Sequence, residues 1–166
     1  MPADTTAPDS EQLDLVFERL VALPPEAIWR AWTTPTLITQ WFTPAPWETI
    51  ACEIDLRPGG RFYSVMRSPE GQTFPNEGCY LVVEPSKRLV WTNALGPDFR
   101  PATGSPDGLI ITVEITLTAE GNGTRYHAVA RHATEAARQA HAAMGFQEGW
   151  GKALDQLIAL MTRQQG

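Results

Sequence analysis

Apolar and polar residues alternate along most of this chain, and the alternation gives way to a helical rhythm only near its end. Leu13, Leu15, Phe17 and Val21 share one parity, with Arg19 the one charged residue in the row, so a first strand with one buried face is predicted. Pro24-Pro25-Glu26 opens a helix, because proline fits the first turn and glutamate complements the dipole there. Ile28 and Trp32 lie four apart on it, and Thr34-Pro35 breaks it and starts a second short helix through Leu37, Ile38 and Trp41. Ile50, Cys52, Ile54 and Leu56 against Glu53 and Asp55 predict a second strand with one wet face. Arg57-Pro58-Gly59-Gly60 is a turn, since proline presets φ and the glycines allow positive φ.

A third strand sets Phe62, Ser64 and Met66 against Arg61, Tyr63, Val65 and Arg67, with the arginines marking its outer face. After the turn Ser68-Pro69-Glu70-Gly71, a fourth strand runs from about Thr73 to Glu84, with Gly78 as a bulge or a point of close approach. Leu89, Trp91 and Asn93 share a face of a fifth strand. The stretch from Leu95 to Gly108, around Phe99, is a loop long enough to act as a lid. Ile111, Val113, Ile115 and Leu117 make the cleanest alternation, the sixth strand. Gly121-Asn122-Gly123 then turns into a seventh with Tyr126, Ala128 and Ala130 on one side. From Thr134, a candidate N-cap, the period becomes 3.6, and Trp150, Leu154, Leu157, Ile158 and Met161 form one stripe of a long helix. Gly145, Gly149 and Gly151 in that region predict close packing or a kink. The expected architecture is α+β: a curved antiparallel sheet of about seven strands, two short helices after the first strand, and a long C-terminal helix across the sheet.

At 166 residues and 43% hydrophobic content the chain suits one core, read as a single domain over 11–164 after a disordered tail at 1–10. The formal charge of −6, with no lysine or arginine cluster, argues against nucleic acid or an anionic membrane as partner. Met1 to Gln12 has neither a basic start nor an apolar run, so a cytoplasmic location is expected, and no stretch approaches the ~18 apolar residues that span a bilayer. Cys52 and Cys79 have no metal-ligand spacing and are read as small buried hydrophobes.

Specific words recur in this order: Ile28-Trp29-Arg30-Ala31-Trp32, Gln40-Trp41-Phe42, Asp55-Leu56-Arg57-Pro58-Gly59-Gly60, Glu84-Pro85 with Leu89-Val90-Trp91-Thr92, Gly123-Thr124-Arg125, and Gly145-Phe146-Gln147-Glu148-Gly149-Trp150. With the order of elements, they resemble the AHSA-like branch of the START/Bet v-like (SRPBCC) superfamily, named after the activator of the heat-shock protein 90 ATPase, over about residues 12–162. The resemblance implies the helix-grip fold. It also brings three function classes into view: small-ligand binding, polyketide cyclase-like catalysis and chaperone activation.

Strand parity supplies the wall of an expected cavity: Phe62, Ser64, Met66, Tyr80, Trp91, Asn93, Val113, Ile115, Tyr126 and Ala128. Trp41 and Phe42 from the second short helix, Phe99 from the long loop, and His141, Met144 and Trp150 near the last helix complete it. A solid core has the same composition, and for each residue it is the competing reading. No catalytic residue, metal or cofactor is assigned. His127 and His132 differ by an odd number and would face opposite ways on a regular strand. His141 with Glu148, seven residues on, would share a helical face as an exposed pair. Asp55 and Arg57 read as a turn-stabilising ion pair. The leading expectation is a domain that binds a small hydrophobic or aromatic molecule between sheet and helix. A cyclase-like enzyme using His141, Tyr80 or Tyr126 is the alternative. A chaperone partner is disfavoured because no charged docking segment is evident, and nothing in the sequence decides for or against a homodimer.

Overall fold

The structure, a computed structural model, describes residues 10–102 and 109–165. A turn of helix, α1 (Ser10–Leu13), leads into β1 (Asp14–Val21), α2 (Pro25–Thr33) and α3 (Pro35–Trp41). The strands β2 (Glu48–Ile54), β3 (Arg61–Arg67), β4 (Thr73–Glu84) and β5 (Arg88–Thr92) follow as a meander. A miniature hairpin, β6 (Leu95–Gly96) and β7 (Arg100–Pro101), interrupts the chain before β8 (Thr112–Glu120) and β9 (Gly123–Arg131). Two helices close it, α4 (Glu135–Ala143) and α5 (Phe146–Gln165). The main sheet has seven antiparallel strands in the order β1-β9-β8-β5-β4-β3-β2, which is the expected α+β architecture.

Local chemistry explains the boundaries. Pro25 and Pro35 sit in the first turns of α2 and α3, where a missing N–H leaves no bond unmade. Thr34 is extended at φ −113°, ψ 112°, as a residue before proline must be, and this separates the two helices. Thr134 caps α4, its hydroxyl accepting from the Ala137 N–H at 3.1 Å.

Two readings of the sequence need correction here, and a third, at Gly78, is decided between its two alternatives. The last helical region is two helices, because Gly145 takes φ 88° and turns the chain between α4 and α5. In β2 a register shift between Thr49 and Ala51 moves Thr49 inward (5% exposed) and leaves Ile50 at 42%, so the simple alternation through Ile50 and Leu56 fails. In β4 the bulge falls between Tyr80 and Val82. Gly78 is the close approach instead: a Cβ there would stand 2.7 Å from the Thr92 carbonyl oxygen. The tail reading lies mostly outside the described residues, but Ser10, assigned to it, begins α1.

The core lies between the sheet and the helices. α5 packs on β1, α2, α3 and α4, and α2 reaches β8. Val113, Ile115, Ala128 and Ala130, on β8 and β9, are at most 1% exposed, and Leu154, Leu157 and Met161 of α5 at most 2%. The sheet is wider than this helical cover. Over the inward faces of β3, β4 and β5 a hollow remains, and it is the site described next.

Candidate functional site

A cavity of about 500 Å³ lies between the inward faces of β3–β5, the end of α3, and the α4–α5 corner. Its walls are mostly rings. Trp32 meets Trp41 edge to face at 5.0 Å and Phe42 at 5.6 Å, while Phe62 lies 5.8 Å from Phe42 and 5.2 Å from Trp91. Phe146 and Trp150, 5.3 Å apart, close the helix side. Two of the indoles are fixed by hydrogen bonds: Trp32 Nε1 donates to Tyr126 Oη at 3.2 Å, and Trp41 Nε1 to the Ala31 carbonyl at 3.0 Å. Trp47 and Met144, which also line the cavity, are 39% and 64% exposed, so the hollow reaches the surface beside them.

Of the residues expected at the wall, Trp41, Phe42, Phe62, Ser64, Met66, Trp91, Asn93, Tyr126, His141, Met144 and Trp150 do line this space. Five do not. Val113, Ile115 and Ala128 face inward but lie on β8 and β9, where helices fill the volume above them; parity sets the face and says nothing of what covers it. Tyr80 is fully buried beneath Phe62, whose ring stacks on it at 5.3 Å. Phe99 lies outside the cavity: Asp98 and Phe99 take φ 61° and 63°, Asp98 N–H donates to the Gly59 carbonyl at 2.8 Å, and the Phe99 ring rests against Gly59. Gly59 has φ 83°, and a Cβ there would stand 2.8 Å from that ring.

Sequence reasoning passed over Trp32, Trp47, Phe74, Asn76 and Phe146, all of which line the cavity. Phe74 and Asn76 share the parity of Tyr80 in β4 and were legible by the same rule. Trp47 stands in a loop, where no period applies.

The polar groups at the wall have different standings. Asn93 is occupied on both sides, donating to the Leu109 carbonyl at 2.7 Å and accepting from Ile111 N–H at 2.8 Å, so it fixes the chain entering β8. Asn76 Nδ2 donates to the Phe74 carbonyl at 3.1 Å. Tyr80 Oη and Trp91 Nε1 are buried and find no partner among the described residues. Burial pushes the phenols of Tyr80 and Tyr126 well above their ordinary range, with Cys52 adding to the effect at Tyr80, so neither serves as a base near neutral pH.

His141 and Glu148 do not share a helical face, because the turn at Gly145 puts them on separate helices. It is buried and its Nδ1 lies 2.9 Å from His132 Nε2, while His132 Nδ1 lies 2.7 Å from the Leu13 carbonyl. A carbonyl only accepts, so His132 Nδ1 carries a proton. In the neutral ring, Nε2 then accepts from His141 Nδ1–H. The pair ties the end of β9 to α4 and to the start of β1. His127 stands apart on the outer face, 3.7 Å from Glu18. Asp55 and Arg57 form the expected ion pair at 2.9 Å. Among the described residues no three His, Cys, Asp or Glu side chains are placed to hold a metal ion, and no helix is long and apolar enough to cross a membrane.

The profile of the family described as Activator of Hsp90 ATPase homolog 1-like protein matches residues 22–162. The chain belongs to this family. Solved structures agree: a protein from Nitrosomonas europaea is 46% identical, with a TM-score of 0.88 over 93% of this chain and 97% of its own. One from Mycobacterium smegmatis is 27% identical, with a TM-score of 0.76 over 94% and 95%. A protein from Aeromonas hydrophila described as AHSA1-like shares the fold at 24% identity, with a TM-score of 0.66 over 92% and 94%. No curated protein matches the chain. The AHSA-like branch read from the sequence words is thus confirmed, and with it the helix-grip architecture.

Proposed function

We propose that this protein binds a small apolar or aromatic molecule in the hollow between β3–β5 and the α4–α5 corner. The observation that carries the reading is the cavity itself: about 500 Å³, walled by tryptophan and phenylalanine rings and reaching the surface. Its volume is within the range of small-molecule sites, and apolar burial is the driving force it offers. A three-ring aromatic guest hiding roughly 300 Å² gains on the order of 8 kcal/mol gross. Association costs several kcal/mol of that, so dissociation constants in the micromolar range or weaker are expected for simple guests.

Two alternatives have less behind them. Of the tyrosines a cyclase-like reaction would use, Tyr80 does not reach the cavity, and Tyr126 already accepts from Trp32. A chaperone-activating role rests on the family description alone. The test is titration of a chemically diverse panel of lipophiles against intrinsic tryptophan fluorescence, joined to native mass spectrometry of the purified chain. Saturable quenching at one equivalent, or a retained small molecule, is the expected result. Silence in both removes the reading.

A further inference from the structure

Two neighbouring polar side chains in the cavity wall bear on what kind of molecule it takes. Ser64 of β3 and Asn76 of β4 are direct partners across the antiparallel ladder, and both line the hollow. Side chains so placed have Cβ atoms about 5 Å apart. Ser64 is 3% exposed, yet its hydroxyl has no hydrogen-bond partner among the described residues. Asn76 uses its NH₂ group on the Phe74 carbonyl, which fixes the orientation of the amide and leaves Oδ1 to accept. The wall thus presents, side by side, a hydroxyl that donates or accepts and a carbonyl that only accepts.

Charge narrows the choice further. Among the described residues no lysine or arginine lines the cavity, and the ring of His141, which does, turns its Nδ1 to His132. The one carboxylate among the described lining residues, Glu77, is held by Arg61 at 2.7 Å, so it does not call for a cationic guest. An anion entering this space would shed its water with no lysine or arginine among the described residues to replace it, a heavy penalty in an apolar enclosure.

We infer that the cavity selects an uncharged aromatic molecule carrying a hydroxyl group, which donates a hydrogen bond to Asn76 Oδ1 and accepts one from the Ser64 hydroxyl. This rests on the binding reading above. It separates that reading from a general affinity for lipids, because fatty acids and other apolar anions are excluded.

Three compounds of one shape test it: 2-hydroxymethylanthracene, 2-ethylanthracene and anthracene-2-carboxylate, each titrated into the full chain by energy transfer from tryptophan. The alcohol is expected to bind at least tenfold more tightly than the carboxylate and about three- to tenfold more tightly than the ethyl compound, the gain of one or two net hydrogen bonds. Ser64→Ala and, separately, Asn76→Val remove most of the second advantage while changing the affinity for 2-ethylanthracene less than twofold. A carboxylate that binds as well as the alcohol, equal binding of alcohol and ethyl compound, or an advantage untouched by both variants overturns the inference. In each of those cases binding of 2-ethylanthracene leaves the binding reading standing. If none of the three binds, this inference fails, and the diverse panel decides the broader one.

Discussion

Tyr80 and Tyr126 are both buried on the inward face of the sheet, yet among the described residues only one of the two hydroxyls has a partner. Tyr126 accepts from Trp32 at 3.2 Å, so Tyr126→Phe leaves the Trp32 N–H buried without an acceptor and is expected to cost about 1–3 kcal/mol. Tyr80→Phe removes a phenol oxygen that already lacks a partner and is expected to be neutral or to stabilise by about 1 kcal/mol. Urea unfolding of the two variants checks the contrast; equal losses would contradict it. The half-buried Cys52 thiol is pushed up to about 11 by burial and by Glu53, so it is expected to resist iodoacetamide at pH 8 in the folded chain and to react once unfolded. At this scale the sequence was informative about direction. A period of two put Ser64, Trp91 and Tyr126 on the inner face, as it did Ile115, but depth below that face depends on neighbours far along the chain. For this reason Tyr80 could not be told from Trp91.

Between elements, two features set the shape of the site. Gly145 holds φ 88° at the α4–α5 corner, and Gly145→Ala is expected to cost about 1–2 kcal/mol by forcing a Cβ into the left-handed region. Gly151, within α5, is the opposite case: a Cβ there meets only Phe17 at 3.7 Å, an ordinary contact, and Gly151→Ala is expected to stabilise by about 0.5–1 kcal/mol. Thermal unfolding of the pair should show shifts of opposite sign. Across β5, β8 and β9, Glu114 bridges Arg88 and Arg131. Burial works to raise its pKa, but hydrogen bonds from the two arginines, with their charges, outweigh this and lower it. A carboxylate with a lowered folded value adds stability above its unfolded pKa and loses it as pH falls through the folded one. Glu114→Gln should therefore cost about 1 kcal/mol at pH 7, with the deficit vanishing below the ordinary carboxylate range. Element order was legible because prolines and changes of period punctuate it. The β2 shift was not, since it inserts one residue's worth of geometry into a pattern that otherwise continues, and the glycines at 145, 149 and 151 announced close packing or a kink without telling which of them would end a helix.

For the molecule as a whole, the consequential fact is that a seven-stranded sheet is wider than the helices laid on it. Helices fill the space over β8 and β9, while the inward faces of β3–β5 keep a hollow. That asymmetry follows from strand order and helix length together, and no run of sequence carries it alone. Gly149 offers a way to close the hollow without disturbing the fold: a Cβ there meets only Pro44, at 3.9 Å, and replacing a helix-interior glycine also favours the helix. The most direct test is titration of N-phenyl-1-naphthylamine, a neutral dye that brightens in apolar surroundings, into the native chain and into Gly149→Leu. Saturation at one equivalent in the native chain, and at least a tenfold weaker response in a variant of unchanged far-ultraviolet circular dichroism, is the expected result. Dye binding that never saturates, or that is equal in the two proteins, would contradict a guest held between sheet and helix.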